Sequence, residues 1–244
     1  MKKLLVFVTT LLVSAGTAFA QDLLITNARI IVGNGQVIES GALLVRAGRI
    51  AAIGPTAPAG VPAATPRLDA RGMSIMPGFI DGHRHVVQGN IQAYMPNAQQ
   101  RMNEFLEAGY TTLLTGGGNA EANLTLSKAV ESGEIKGPRI IPSSSLNLTQ
   151  TPDEARAEVR RLAGLGVKFI GEINVNSFNP PPAQMETLRA AIDESKKVGS
   201  TVVVHAVSPK AMHAAIDVGT THFVHTPHFG WLTNDDAKRV AEIG

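Results

Sequence analysis

The chain of 244 residues has no cysteine. Disulfides, thiolate metal sites and cysteine nucleophiles are therefore excluded, and histidine and carboxylate remain as the ligand chemistry on offer. Charged residues are also scarce, at 17% against 44% hydrophobic, which excludes the polar profile of a disordered chain and fits a packed globular protein. Charge of one sign is lacking too. Of the 22 basic side chains, Lys2 and Lys3 stand at the extreme N-terminus, and the other 20 match the 20 acidic ones. With no basic tract there is no electrostatic footprint for DNA or RNA, so no nucleic-acid partner is expected. Long apolar runs are missing as well: the stretch from Leu4 to Val13 is shorter than the roughly 20 residues that cross a bilayer.

That short stretch has a different signature. Lys2 and Lys3 precede it, and Ala18-Phe19-Ala20 follows, with small residues where a signal peptidase requires them. Residues 1–20 read as a secretory signal peptide cleaved after Ala20. The expected mature product is periplasmic or secreted, with no membrane attachment after cleavage.

From about 21 to 70 the sequence alternates in short apolar runs, Leu24 to Ile31, Gly41 to Arg46 and Arg49 to Gly54, separated by glycine turns. This predicts a small antiparallel β domain followed by a Pro/Ala-rich loop, Pro55 to Pro66. From 71 to 244 the rhythm changes to strand then amphipathic helix. Strands are expected over Ile75–His85, Thr111–Thr115, Arg139–Pro142, Val167–Ile173, Thr201–His205 and Phe223–His225. The intervening helices are expected over Gln92–Ala108, Asn119–Glu134, Thr151 to about Ala163, Met185–Val198, Pro209–Asp217 and Asn234–Ile243. Successive β-α units of this kind demand a parallel sheet covered by helices. The expected fold is thus α/β, an incomplete TIM-like barrel of six β-α units.

His83 and His85 end the first of these strands, and a spacing of two on a strand points both imidazoles to one side, roughly 6.6 Å apart along the chain. His205 and His225 each close a later strand. One such histidine alone is more often a packed or hydrogen-bonded side chain than a ligand. Four out of seven histidines at the same end of their strands point to a metal site, on the face where β/α barrels carry their chemistry. His213 falls within a helix and is expected to be exposed. His222 starts its strand, away from the site, and His228 follows in a loop where it can meet substrate. A carboxylate bridging two cations is sought on the fourth strand. Lys168 and Glu172 share a face there, but Lys168 lies roughly 13 Å deeper and would need carbamylation, so Glu172 is favoured. Gly116-Gly117-Gly118 lacks the lysine and serine of a phosphate loop and reads as a tight turn beside the site. Ser143, Ser144 and Ser145 read as loop or substrate contacts, and Trp231 as lining the pocket mouth or as structural.

Pro77-Gly78-Phe79-Ile80-Asp81-Gly82-His83-Arg84-His85 resembles the first-strand signature of the amidohydrolase superfamily, and Gly48 to Gly54 resembles the end of its small N-terminal β domain. His205 and His225 match the family's ligands on the fifth and sixth strands. In its imidazolonepropionase and prolidase-like group a lysine usually ends the fourth strand; Phe169-Ile170-Gly171-Glu172 is similar instead to the enamidase-like glutamate variant. The resemblance implies a hydrolase of the C–N bond in a cyclic amide, lactam or dipeptide, working through metal-activated hydroxide. Its cofactors are one or two divalent ions, zinc first, iron or manganese next, held by His83, His85, Glu172, His205 and His225. The implied general acid/base is an aspartate on the eighth strand, which would lie beyond Gly244. After removal of the signal peptide and β domain about 170 residues remain, against about 250 for a whole barrel, so a C-terminally truncated fragment is expected. The partner is a small-molecule substrate. The alternative is a non-catalytic metal- or ligand-binding remnant that folds as an open sheet or through self-association into a homo-oligomer.

Overall fold

In a computed structural model the structure describes residues 22–87 and 89–243; the expected signal peptide lies outside the described residues. The chain divides into two compact units, the first ending at Pro77 and the second beginning at Gly78. Among the described residues no helix is long and apolar enough to cross a membrane.

In the first unit β1 (Leu23–Ile31), β2 (Val37–Arg46) and β3 (Arg49–Gly54) form the expected antiparallel meander. The β2–β3 turn is Ala47-Gly48, with φ of 48° and 73°, the double positive φ whose twist suits a two-residue hairpin. The Asp22 carboxylate accepts the Ala47 N–H at 3.1 Å. The expectation of a purely antiparallel unit needs correcting. β4 (Arg67–Asp69) and β5 (Ser74–Ile75) both pair parallel with β1. The cause lies at Asn27, whose backbone turns to φ 54°, whose side chain donates to Asp69 at 2.9 Å and whose carbonyl accepts from Gly72 at 2.7 Å. These bonds hold the returning chain along β1. Ile75, expected to begin the first strand of the second unit, belongs to this sheet instead.

The second unit alternates as expected: β6 (Phe79–Arg84), α1 (Ile91–Tyr94), α2 (Ala98–Glu107), β7 (Tyr110–Thr115), α3 (Ala120–Glu131), β8 (Arg139–Ile141), β9 (Ser143–Ser144), α4 (Pro152–Gly164), β10 (Phe169–Asn174), α5 (Pro182–Val198), β11 (Thr201–His205), α6 (Pro209–Asp217) and α7 (Asn234–Ala241). All its strand pairs are parallel, in two sheets ordered β6-β7-β8 and β9-β10-β11.

Proline accounts for two departures from expectation. Pro142 has no N–H to give to a ladder, so the predicted strand over Arg139–Pro142 becomes β8, paired with β7, and beyond the proline β9, paired with β10. Pro96 likewise divides the predicted helix over Gln92–Ala108 with a short 3-10 turn, Met95–Asn97. A third departure is at the predicted strand Phe223–His225, which keeps only a bridge between Val204 and Phe223; Pro227 follows too soon for a longer ladder.

Helix starts follow their local signals. Thr151 and Glu154 form a reciprocal capping box with Pro152 at the first helical position, and Thr233 does the same with Asp236 for α7. Beneath β10 and β11, Ile170, Ile173 and Val204 are fully buried against Val159 and Leu162 of α4 and Leu188 of α5. A second cluster joins Leu113 of β7 and Met102 of α2 to Leu126 of α3.

Candidate metal centre

The parallel strands of the second unit end at a common site. His83 lies in β6, Glu172 in β10 and His205 ends β11, with His85 just past β6 and His225 just past the bridge at Phe223. Glu172 is 6% exposed, and each oxygen of its carboxylate faces a different pair of imidazoles. Oε2 lies 3.1 Å from His85 Nε2 and 3.6 Å from His83 Nε2. Oε1 lies 2.9 Å from His225 Nε2 and in direct contact with His205 Nδ1. The rings of His83 and His85, His83 and His225, and His205 and His225 meet edge-on with centroids 5.0, 5.0 and 4.6 Å apart. Ligand atoms of His83, His85 and Glu172, and separately of Glu172, His205 and His225, lie within 4.8 Å of one another. The five residues singled out from sequence are thus brought together, with one carboxylate shared by both trios.

The electrostatics suit a cation. No lysine or arginine pairs with Glu172 among the described residues; its neighbours are imidazoles. Burial pushes the Glu172 carboxyl up, but hydrogen bonds from His205 and His225 and the nearby imidazoles outweigh it and hold the group below the usual carboxylate range. Burial also lowers His83 below its ordinary value, against the pull of Glu172. His83 Nε2 is buried without a hydrogen-bond partner. A buried, ionised carboxylate flanked by four imidazoles, with one buried ring nitrogen unpartnered, is a donor set that fits one or two divalent ions.

Close backing holds these side chains. A Cβ on Gly116 would come within 2.8 Å of the His83 ring, and one on Gly117 within 2.6 Å of the Glu172 N–H and 2.5 Å of Ser145 Oγ. The glycine turn therefore stands directly behind two of the five residues. It is fixed from below: Asn123, 1% exposed, donates to the carbonyls of Gly117 at 2.8 Å and Ser143 at 3.0 Å. The Gly117 N–H donates to Ser143 Oγ at 2.8 Å and the Gly118 N–H to Ser145 Oγ at 2.9 Å. Asp81 accepts the His83 N–H at 3.0 Å and fixes the chain between them.

Several expectations change here. Ser143 and Ser144 are not loop or substrate contacts; they form β9, are buried, and tie β7 to the second sheet through Thr115. His213 is not a free surface group, because α7 brings Asp236 to 2.5 Å from its Nε2. Asn123 and Asp81 were not expected at all. Their only signal was polarity where an apolar residue or a ligand would do, and their partners are distant in sequence or in the same turn. Lys168 is exposed, outside the group around Glu172. His222 meets Thr221 at 2.8 Å, and His228 is exposed with its ring 4.6 Å from that of Phe229. Trp231 is 95% exposed.

Comparison with known proteins supplies the relatives. Over 187 residues the chain is 30% identical to N-acyl-D-aspartate deacylase of Alcaligenes xylosoxydans xylosoxydans, covering 73% of this chain and 35% of that protein. It is 27% identical to allantoinase of Solibacter usitatus, covering 78% and 43% respectively. A prolidase solved with N-methylphosphonate-L-proline shares the fold at a TM-score of 0.76 and 23% identity, covering 92% of this chain and 65% of that one. The chain therefore spans about a third to two thirds of the length of these relatives. The amidohydrolase family model matches residues 74–237, a span that contains all five residues of the centre, and the chain belongs to the amidohydrolase family.

Proposed function

We propose that this chain carries the metal centre of an exported amidohydrolase that adds water across a C–N bond in a cyclic amide, lactam or dipeptide. The observation that carries the reading is the Glu172 carboxylate, with one oxygen toward His83 and His85 and the other toward His205 and His225. We read the second unit as part of a β/α barrel; its parallel strands and its likeness to the prolidase fold support this. His83, His85, Glu172, His205 and His225 would hold one or two divalent ions, zinc being the first choice for imidazole and carboxylate, with iron or manganese next. Such an ion supplies a Lewis acid for the substrate carbonyl and a water acidic enough to attack near neutral pH.

The chain's own residues set up that chemistry. Glu172 stays ionised because its imidazole neighbours stabilise the charge. Partial burial lowers His83 below its ordinary value, which favours the neutral imidazole whose lone pair a ligand bond needs. The Gly116-Gly117 turn admits no side chain behind them. Proton transfer to the leaving nitrogen is left to the eighth-strand aspartate that the family resemblance implies; among the described residues Glu172 is the one carboxylate in the two ligand groups. Export rests on the N-terminal pattern of Lys2, Lys3 and Ala18 to Ala20.

Elemental analysis of purified wild-type protein, His83→Ala and Glu172→Gln tests the reading. Bound zinc, iron or manganese in the wild type and its loss in both variants is the expected result. Unchanged metal content in both variants would refute the assignment.

A further inference from the structure

We propose that Asn123 is a positioning residue whose buried amide holds the two halves of the metal centre at their spacing. The inference rests on the metal-centre reading and adds to it a residue outside the ligand groups. His83 and His85 come from β6 and its end, Glu172 and His205 from β10 and β11. Among the described residues no strand ladder joins the sheet β6-β7-β8 to the sheet β9-β10-β11. Something other than β pairing therefore sets how far apart the two groups of ligands stand.

The join is made by buried polar groups around the glycine turn. On one side, the Gly116 N–H donates to the Arg84 carbonyl at 2.8 Å, which ties the turn to the chain between His83 and His85. On the other, Ser143 and Ser144 pair with Phe169 and Ile170, on the strand that carries Glu172. Asn123, in the first turn of α3 and 1% exposed, spans the two. Its Nδ2 donates to the Gly117 carbonyl at 2.8 Å and to the Ser143 carbonyl at 3.0 Å, one from each side. A second tie runs beside it: Thr115 Oγ1 accepts the Ser143 N–H at 2.7 Å, and Ser143 Oγ accepts the Gly117 N–H at 2.8 Å. The turn so pinned abuts the His83 ring at Gly116 and the Glu172 backbone at Gly117, so a shift of the turn is felt by both halves. The position calls for two N–H donors on one short side chain, which asparagine has. Its Oδ1 is buried without a partner, so leucine there removes both donors and no acceptor in use.

Zinc and cobalt(II) binding to wild type, Asn123→Leu, Ser143→Ala and Val159→Ala tests the proposal. Val159, fully buried on α4, controls for lost stability away from the join. Asn123→Leu is expected to bind zinc at least about tenfold more weakly than the wild type and to alter the visible absorption of bound cobalt, which reports ligand geometry. Ser143→Ala, which deprives the Gly117 N–H of its acceptor, should weaken zinc binding severalfold, and it decides the outcome if Asn123→Leu does not fold. Val159→Ala should melt at lower temperature and match the wild type in both readouts. Wild-type affinity and cobalt spectra in Asn123→Leu and Ser143→Ala, or an equal loss in Val159→Ala, would overturn the positioning role while leaving the metal centre standing. A wild type that binds neither ion overturns the metal-centre reading and this inference together.

Discussion

The two sheets of the second unit bring comparable side chains to one cluster from very different surroundings. In β9-β10-β11, Ile170, Ile173 and Val204 are fully buried, so Glu172 and His205 stand on strands clamped by the main core. In β6-β7-β8, the edge strand β6 leaves Phe79 48% and Ile80 71% exposed, and His83 stands on, and His85 just past, a strand with little packed against one side. What the second sheet obtains from its core, the first obtains from local contacts: Asp81 on the His83 N–H, Gly116 against the His83 ring and Glu172 itself. The lesson is that precision at this centre is supplied by burial on one side and by backbone approach on the other.

The largest expected effect separates the two sheets directly. Ile173→Ala should cost about 2–5 kcal/mol through loss of a fully buried side chain, whereas Ile80→Ala should stay within about 0.5 kcal/mol. Urea unfolding of the two variants measures this, and equal losses would end the contrast. Next comes the glycine turn. Gly117→Ala places a Cβ 2.6 Å from the Glu172 N–H at a φ of +82°, so it should lose about 1–3 kcal/mol from backbone strain and weaken zinc binding. Gly116→Ala, which presses on His83 instead, should weaken zinc binding with less effect on unfolding. A zinc titration beside each melting curve separates the two.

The same contrast explains what could be read from the sequence. Thr201–His205 and Pro209–Asp217 are legible to the residue, because an uninterrupted β-branched run and a Ser-Pro helix start are local signals. That Glu172 and not Lys168 would lie level with the histidines was legible because depth along a strand is simple arithmetic. Other features depend on what distant residues do. Pro142 could be seen, but that it hands the chain from one sheet to the other could not, since that depends on which strands lie beside it. Ser143 looked like loop because its buried partners, Thr115 and Gly117, lie on another β-α unit. His213 looked exposed because Asp236, which pairs with it, is on a helix placed by tertiary packing.

Smaller effects sharpen the comparison further. Thr151→Ala removes one half of the capping box on α4, a helix of the buried half, and should cost about 1 kcal/mol; loss of the box without a change in melting would show that packing alone sets that helix. The smallest effect is a pH dependence in the exposed half. Because burial lowers His83 below its ordinary 6.5, the unfolded chain takes up a proton there at higher pH than the folded one. The His83 contribution to the stability of the metal-free protein is therefore fully present above pH 6.5 and is lost as the pH falls below it toward the folded value. His83→Gln should flatten this part of the profile in thermal melts, and an unchanged slope would mean that the ring is not held neutral.

The central claim is that one buried carboxylate joins two histidine pairs into a single metal centre. Anomalous diffraction from zinc-soaked crystals tests it most directly. The account predicts anomalous density in contact with Glu172 and at least two of His83, His85, His205 and His225. Zinc density that avoids Glu172, or none among the four imidazoles, would contradict it.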